Sequence, residues 1–114
     1  MKQARTILTK DAAETYRQLK ENKENKTERM ILDAIHKKAE EIRTDPHFGD
    51  PIAKKLIPEE YTTEYEIKNL FRVELPAAWR MLYTLTDRDD ELTALIIDII
   101  DHPTYDKKFG YRKR

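Results

Sequence analysis

Phe71-Arg72-Val73-Glu74-Leu75-Pro76-Ala77-Ala78-Trp79-Arg80-Met81-Leu82-Tyr83 is the stretch on which the reading of this chain turns. Phe71, Val73 and Leu75 alternate with Arg72 and Glu74. Trp79, Met81, Tyr83 and Leu85 alternate with Arg80, Leu82 and Thr84. A period of two sends successive side chains to opposite faces of a sheet, so the stretch reads as two strands joined by a short loop. Pro76 falls in the loop, where its missing N–H costs no ladder bond. Such a hairpin hides its aromatics on one face and shows Arg72, Glu74 and Arg80 on the other. Two arginines on a stiff sheet form a candidate anion grip.

Working outward, a third strand is expected over Leu92 to Asp101, after the polar turn Asp87-Arg88-Asp89-Asp90. Its Leu95, Ile97 and Ile99 face one way, and Ala94, Ile96, Asp98 and Ile100 the other. Apolar residues on both faces mark a central or covered strand. Upstream, Ala4 to Leu8 reads as a first strand. Thr9 caps a helix over Lys10 to Lys23 with a thin inward stripe of Ala12, Tyr16 and Leu19. Thr27 is placed to cap a second helix to about Arg43, with Met30, Ile31, Ala34, Ile35, Ala39 and Ile42 at helical spacing. Asp45-Pro46 stops it. Pro46 to Glu66 reads as the least regular part, broken by Pro46, Gly49, Pro51 and Pro58. The expected architecture is α+β in one domain over residues 1–114: an N-terminal strand and a two-helix hairpin packed on one face of an antiparallel sheet of about four strands. The helices would cover Phe71, Val73, Trp79, Met81, Tyr83, Leu95 and Ile97. The other face, half apolar and half ionic, would need cover from the tail, a partner or a ligand.

Composition narrows the function. The 114 residues suit one small domain, and 39% hydrophobic residues supply one modest core. The chain has no cysteine, so neither disulfides nor a thiolate metal site is available. Three scattered histidines make no zinc motif, and no metal or other cofactor is expected. His36 reads as a helix-surface residue and His47 as loop. No apolar run is long enough to span a membrane, and the opening residues lack a signal-peptide core. The 22 basic and 22 acidic residues cancel, which argues against a whole-surface grip on nucleic acid. Local basic groups remain: Lys54 and Lys55 in the irregular segment, and Lys107, Lys108, Arg112, Lys113 and Arg114 in the tail.

Leu70 to Leu75, then Trp79-Arg80-Met81-Leu82-Tyr83-Thr84-Leu85, then Ile96 to His102 and Tyr105, resemble the core of RelE/ParE-superfamily toxins of toxin–antitoxin modules. The likeness extends over nearly the whole chain, and His102 to Tyr111 is similar to the tail of archaeal-type members. The resemblance implies a cytoplasmic toxin held in a tight complex with a cognate antitoxin that masks its active surface. RelE-like and YoeB-like members are ribosome-dependent endoribonucleases acting on mRNA; ParE-like members inhibit DNA gyrase instead. A catalytically inactive interaction protein on the same fold is the remaining alternative.

Metal-free RNA cleavage needs a base for the ribose 2′-hydroxyl, cations for the phosphate, and an acid for the leaving oxygen. By the resemblance, Arg80 matches the strand arginine that stabilises phosphate charge, and its planar fork suits a phosphate. Arg72 is placed to share that charge. His102 stands near where some members carry a catalytic histidine, and an imidazole of pKa roughly 6.5 serves as base or acid. Tyr105 and Tyr111 are candidates to stack on a base or orient the phosphate. Lys54, Lys55 and the basic tail residues are candidate backbone contacts. Two departures stand out. Glu74 occupies a position where RelE-like members often carry lysine, and no equivalent of the YoeB-like glutamate base is evident.

Overall fold

A computed structural model describes residues 3–110. Strand β1, Arg5–Leu8, leads into helix α1, Lys10–Glu21. Thr9 joins them as expected: its hydroxyl oxygen accepts from the Ala12 N–H at 3.2 Å, capping the helix, and donates to the Ile97 carbonyl at 2.8 Å. Helix α2, Lys26–Thr44, is capped by Asn25 and not by Thr27. The Asn25 amide oxygen accepts from the Glu28 N–H at 3.0 Å, and asparagine is the stronger capping residue of the two. Starting the helix there fixes its inward stripe as Ile31, Leu32, Ile35 and Ile42. Met30 lies 100° away from Ile31 around the helix and points outward, half exposed, against expectation.

The segment after α2 is more ordered than its prolines suggest. It holds the short strand β2, Asp50–Pro51, a 3-10 turn over Lys54–Leu56, and helix α3, Glu59–Tyr65. Pro58 immediately precedes α3, where a missing N–H leaves no helical bond unmade, and Glu66 closes it in the left-handed region at φ 54°. Strands β3, Phe71–Glu74, β4, Arg80–Arg88, and β5, Glu91–Ile100, form the expected meander. The last helix, α4, spans His102–Phe109; Asp101 caps it and Gly110, at φ 68°, ends it.

The sheet has five strands in the order β1-β5-β4-β3-β2, and it is mixed rather than antiparallel throughout. β1 pairs in parallel with β5, Arg5 opposite Thr93 through Leu8 opposite Ile96. The reason is topological. The helical hairpin carries the chain across one face to the far edge, where the meander begins. It then returns strand by strand until β5 meets β1.

A bulge in β5 corrects the expected faces. Leu82 is opposite Asp98 but Tyr83 is opposite Ile96, so Ile97 is the extra residue. From there the alternation flips. Ala94, Ile96 and Ile99 pack under α1 and α2 with Phe71, Val73, Met81 and Tyr83, and Trp79 packs against them half-buried. Leu95 and Ile97, expected under the hairpin, lie on the opposite face. There Leu70, Leu82, Ile97 and Ile100 form a second core with Tyr61 of α3 and with Tyr105 and Phe109 of α4. Each such fully buried apolar side chain contributes about 1.5–3 kcal/mol. The half-apolar face is therefore covered by the chain's own α3 and α4.

Candidate functional site

The site lies where β3 and β4 pass beneath α4. Alternation puts Arg72, Glu74 and Arg80 on the α4 face, and strand register sets Glu74 directly opposite Arg80. Ile100 is the other strand partner of Arg80, and two residues later α4 begins at His102. Arg80 and His102 therefore belong to the same end of the sheet.

Tyr105, one turn into α4 and buried, is the hub. Its hydroxyl accepts a hydrogen bond from Arg72 Nη1 at 3.0 Å. The Arg80 guanidinium lies over its ring, 4.8 Å from the centroid. Its other contacts include Phe109, stacked at 4.3 Å. Arg80 also donates from Nη1 to the Ala78 carbonyl. That carbonyl belongs to the β3–β4 loop, a 3-10 turn over Pro76–Ala78 in which Ala77 and Ala78 both hold positive φ, 59° and 63°. Two consecutive non-glycine residues in the left-handed region are a local strain beside the site.

Glu74 stands between the two arginines. Its carboxylate is 3.2 Å from Arg80 Nε and 3.5 Å from Arg72 Nε. Asp50, brought by β2 opposite Arg72, lies 3.7 Å from Arg72 Nη2. Arg72 is held charged more firmly than a free arginine. The hydrogen bond to Tyr105 favours the cation, burial opposes it, and Glu74 and Asp50 add to the balance.

His102 points to solvent at the start of α4, its Nε2 3.3 Å from Asp106 Oδ2 one turn on. Lys54 and Lys55 are exposed in the 3-10 turn, and Lys107 is exposed on α4. Lys108 turns inward instead. Its ammonium reaches Glu60 at 2.6 Å and Asp98 at 3.3 Å, and Asp98 also accepts from the Tyr61 hydroxyl at 2.7 Å. Lys108 thus ties α4 to α3 and to the β5 bulge. Tyr111, Arg112, Lys113 and Arg114 lie outside the described residues. His36 bonds the Tyr16 hydroxyl between α1 and α2, and His47 packs edge-on against Phe71; neither approaches this cluster.

The structure therefore brings Arg72, Arg80 and Tyr105 into contact, while His102, two residues beyond the strand partner of Arg80, pairs with Asp106. Pairing of Arg72 or Arg80 with Glu74 across the hairpin was legible in the alternation, and the structure has Glu74 beside both; the part played by Asp50 and Ala78 was not. Glu74 was legible because register across a short hairpin loop can be counted. Asp50 had no such signal, being far away in sequence. A cleft of about 530 Å³ opens on the same face beside Asn69, Thr84 and Leu95, but neither arginine lines it. Among the described residues no group of three His, Asp or Glu side chains is placed to hold a metal ion, and no helix is long and apolar enough to cross a membrane.

Chemically, the arrangement offers two guanidinium groups for an oxyanion, a phenol that orients one of them, and a solvent-facing imidazole at the rim. Neither a protein-family model nor a curated protein sequence matches the chain. Among solved structures, it is similar to that of the E. coli toxin RelE, a mutant in the free state, at 13% sequence identity and a TM-score of 0.55. The match covers 98% of this chain and 99% of that one. From β1 to α4, this chain has the RelE fold.

Proposed function

We propose that the chain is the toxin of a toxin–antitoxin pair and acts in the cytoplasm as a ribosome-dependent mRNA endoribonuclease. The observation that carries this reading is the convergence of Arg72 and Arg80 on Tyr105, on the sheet face away from the helical hairpin, within a fold shared with a toxin. In the reaction the ribose 2′-oxygen attacks the adjacent phosphorus and the 5′-oxygen of the next nucleotide leaves. Arg80 and Arg72 stabilise the charge that gathers on the phosphate oxygens. Tyr105 positions Arg72 through its hydroxyl and Arg80 through its ring. His102 serves one proton transfer, taking the 2′-hydroxyl proton or supplying one to the departing 5′-oxygen, and water serves the other. Lys54, Lys55 and Lys107 lie outside the reacting centre and assist by charge along the RNA backbone. By residue type alone, Arg112, Lys113 and Arg114 are assigned the same role and Tyr111 that of stacking on a base. A cognate antitoxin is the partner that would restrain such an activity.

Expression of the chain in a bacterial host with mapping of mRNA 5′ ends tests the reading. Growth arrest with new 5′ ends inside translated frames, both abolished by Arg80→Ala in a folded protein, is the expected result. Growth arrest with a DNA-damage response and intact mRNA would transfer the chain to the gyrase-inhibitor reading. One observation favours a third reading, an inactive interaction protein: Glu74 and Asp50 together neutralise the two arginines. Unimpaired growth and intact mRNA would establish it.

A further inference from the structure

The Nε–H groups of both Arg72 and Arg80 are buried and have no hydrogen-bond acceptor. Glu74 is within ion-pair distance of each, 3.2 Å from Arg80 Nε and 3.5 Å from Arg72 Nε, yet makes a hydrogen bond with neither. The backbone explains the misfit. Glu74 is fixed opposite Arg80 by strand register and two residues from Arg72 on β3, so a short tether holds its carboxylate near both donors and hydrogen-bonded to neither. Its side chain is 58% exposed, whereas that of Arg80 is 15% exposed. An exposed carboxylate gives up an ion pair at little cost, because water replaces it.

We infer that Arg72 and Arg80 form a seat for a phosphate-type oxyanion, and that Glu74 is its resident occupant, which any ligand must displace. The inference rests on the reading of this face as an RNA-phosphate site and adds what sets its affinity. Arg72, Arg80, Glu74 and Asp50 sum to zero charge, so an incoming anion meets no net attraction until Glu74 leaves. A phosphate carries oxygens directed apart and is free of the strand. It can accept from both Nε–H groups at once, which the tethered carboxylate does not. Glu74 thereby lowers affinity for phosphate and favours ligands that bind through more than one contact, as a polynucleotide does.

The test is a titration of the isotope-labelled full chain with inorganic phosphate, read from the arginine Nε–Hε resonances. In the wild type, weak binding should shift two of these resonances together. Glu74→Gln should bind phosphate about five-fold more tightly, the effect of removing one unit charge about 4 Å away in a water-like dielectric. Glu74→Ala should do the same, and thermal melts should show both variants folded. A 2′-O-methyl RNA oligonucleotide, which cannot be cut through its ribose, should follow the same order. Equal phosphate affinity in wild type and both variants would overturn the inference, as would phosphate that shifts neither arginine. Loss of mRNA cleavage in Glu74→Gln at unchanged phosphate affinity would also overturn it, by making Glu74 a base instead of an occupant. Because the titration needs no ribosome, a missing seat and a missing nuclease give separate results.

Discussion

Replacing Asp98 should loosen α4 selectively, and the structure sets the size of the effect. Asp98 is buried on the α4 face, beside the bulge at Ile97 and opposite Leu82. It accepts from the buried Tyr61 hydroxyl at 2.7 Å and pairs with Lys108 at 3.3 Å. A hydrogen bond to a charged acceptor contributes about 1.5–3 kcal/mol, and an orphaned buried hydroxyl costs a similar amount. The Lys108 share is smaller. Lys108 keeps Glu60, which is more than half exposed, and such pairs contribute at most about 1 kcal/mol. Asp98→Ala should therefore destabilise the protein by about 3 kcal/mol. Asp98→Asn, which retains an acceptor oxygen, should cost about 1 kcal/mol. For a chain of this length the two values correspond to melting-temperature drops of about 12 and 4 °C. Thermal unfolding gives these numbers, and amide hydrogen exchange locates them: α3 and α4 should lose protection before the strands do. An alanine variant within 1 kcal/mol of wild type, or one whose protection falls evenly across the molecule, would refute the assignment of α4 docking to this cluster.

Stability should fall as the pH rises above about 10, since burial raises the Tyr61 and Tyr83 hydroxyls above their ordinary value of 10.0, with Asp98 adding to Tyr61. Groups raised in the folded state contribute fully below the unfolded pKa and lose that contribution as pH climbs through the folded one. Lys108 acts in the same sense: burial lowers its pKa, but Glu60 and Asp98 outweigh it and leave it above 10.5. Urea midpoints from pH 7 to 11 should show the decline, and Tyr61→Phe should flatten it. Tyr83 donates to the Pro46 carbonyl at 2.7 Å and accepts from the Gly49 N–H at 2.9 Å, so Tyr83→Phe should cost about 2 kcal/mol in a denaturant titration. Gly49→Ala should cost at least as much, about 2–3 kcal/mol, because its Cβ would stand 2.9 Å from the Tyr83 ring and 3.1 Å from the Arg72 carbonyl. Ala77→Gly and Ala78→Gly should each stabilise by about 0.5–1 kcal/mol in thermal melts, relieving positive φ at a net gain over the added unfolded-state entropy; a loss in both would show that the loop is not strained.

The sequence alone settled whatever depends on neighbours along the chain. Period-two alternation from Phe71 to Leu85 located β3 and β4 and put Arg72, Glu74 and Arg80 on one face; helical spacing and the Thr9 cap located the hairpin. These are local properties, since a strand's alternation and a helix's cap are set by residues within one turn or one pleat. Tertiary structure decided the rest. The parallel pairing of β1 with β5 follows from where the helical hairpin delivers the chain, and α3 emerged from a segment whose prolines read as breaks. The bulge at Ile97 has no sequence mark, because an extra residue in β5 is defined only by its partners in β4, yet it moved Leu95 and Ile97 to the α4 face. The site divides along the same line: the chain declared its two arginines and Glu74 across the hairpin, while packing of α4 made Tyr105 their hub.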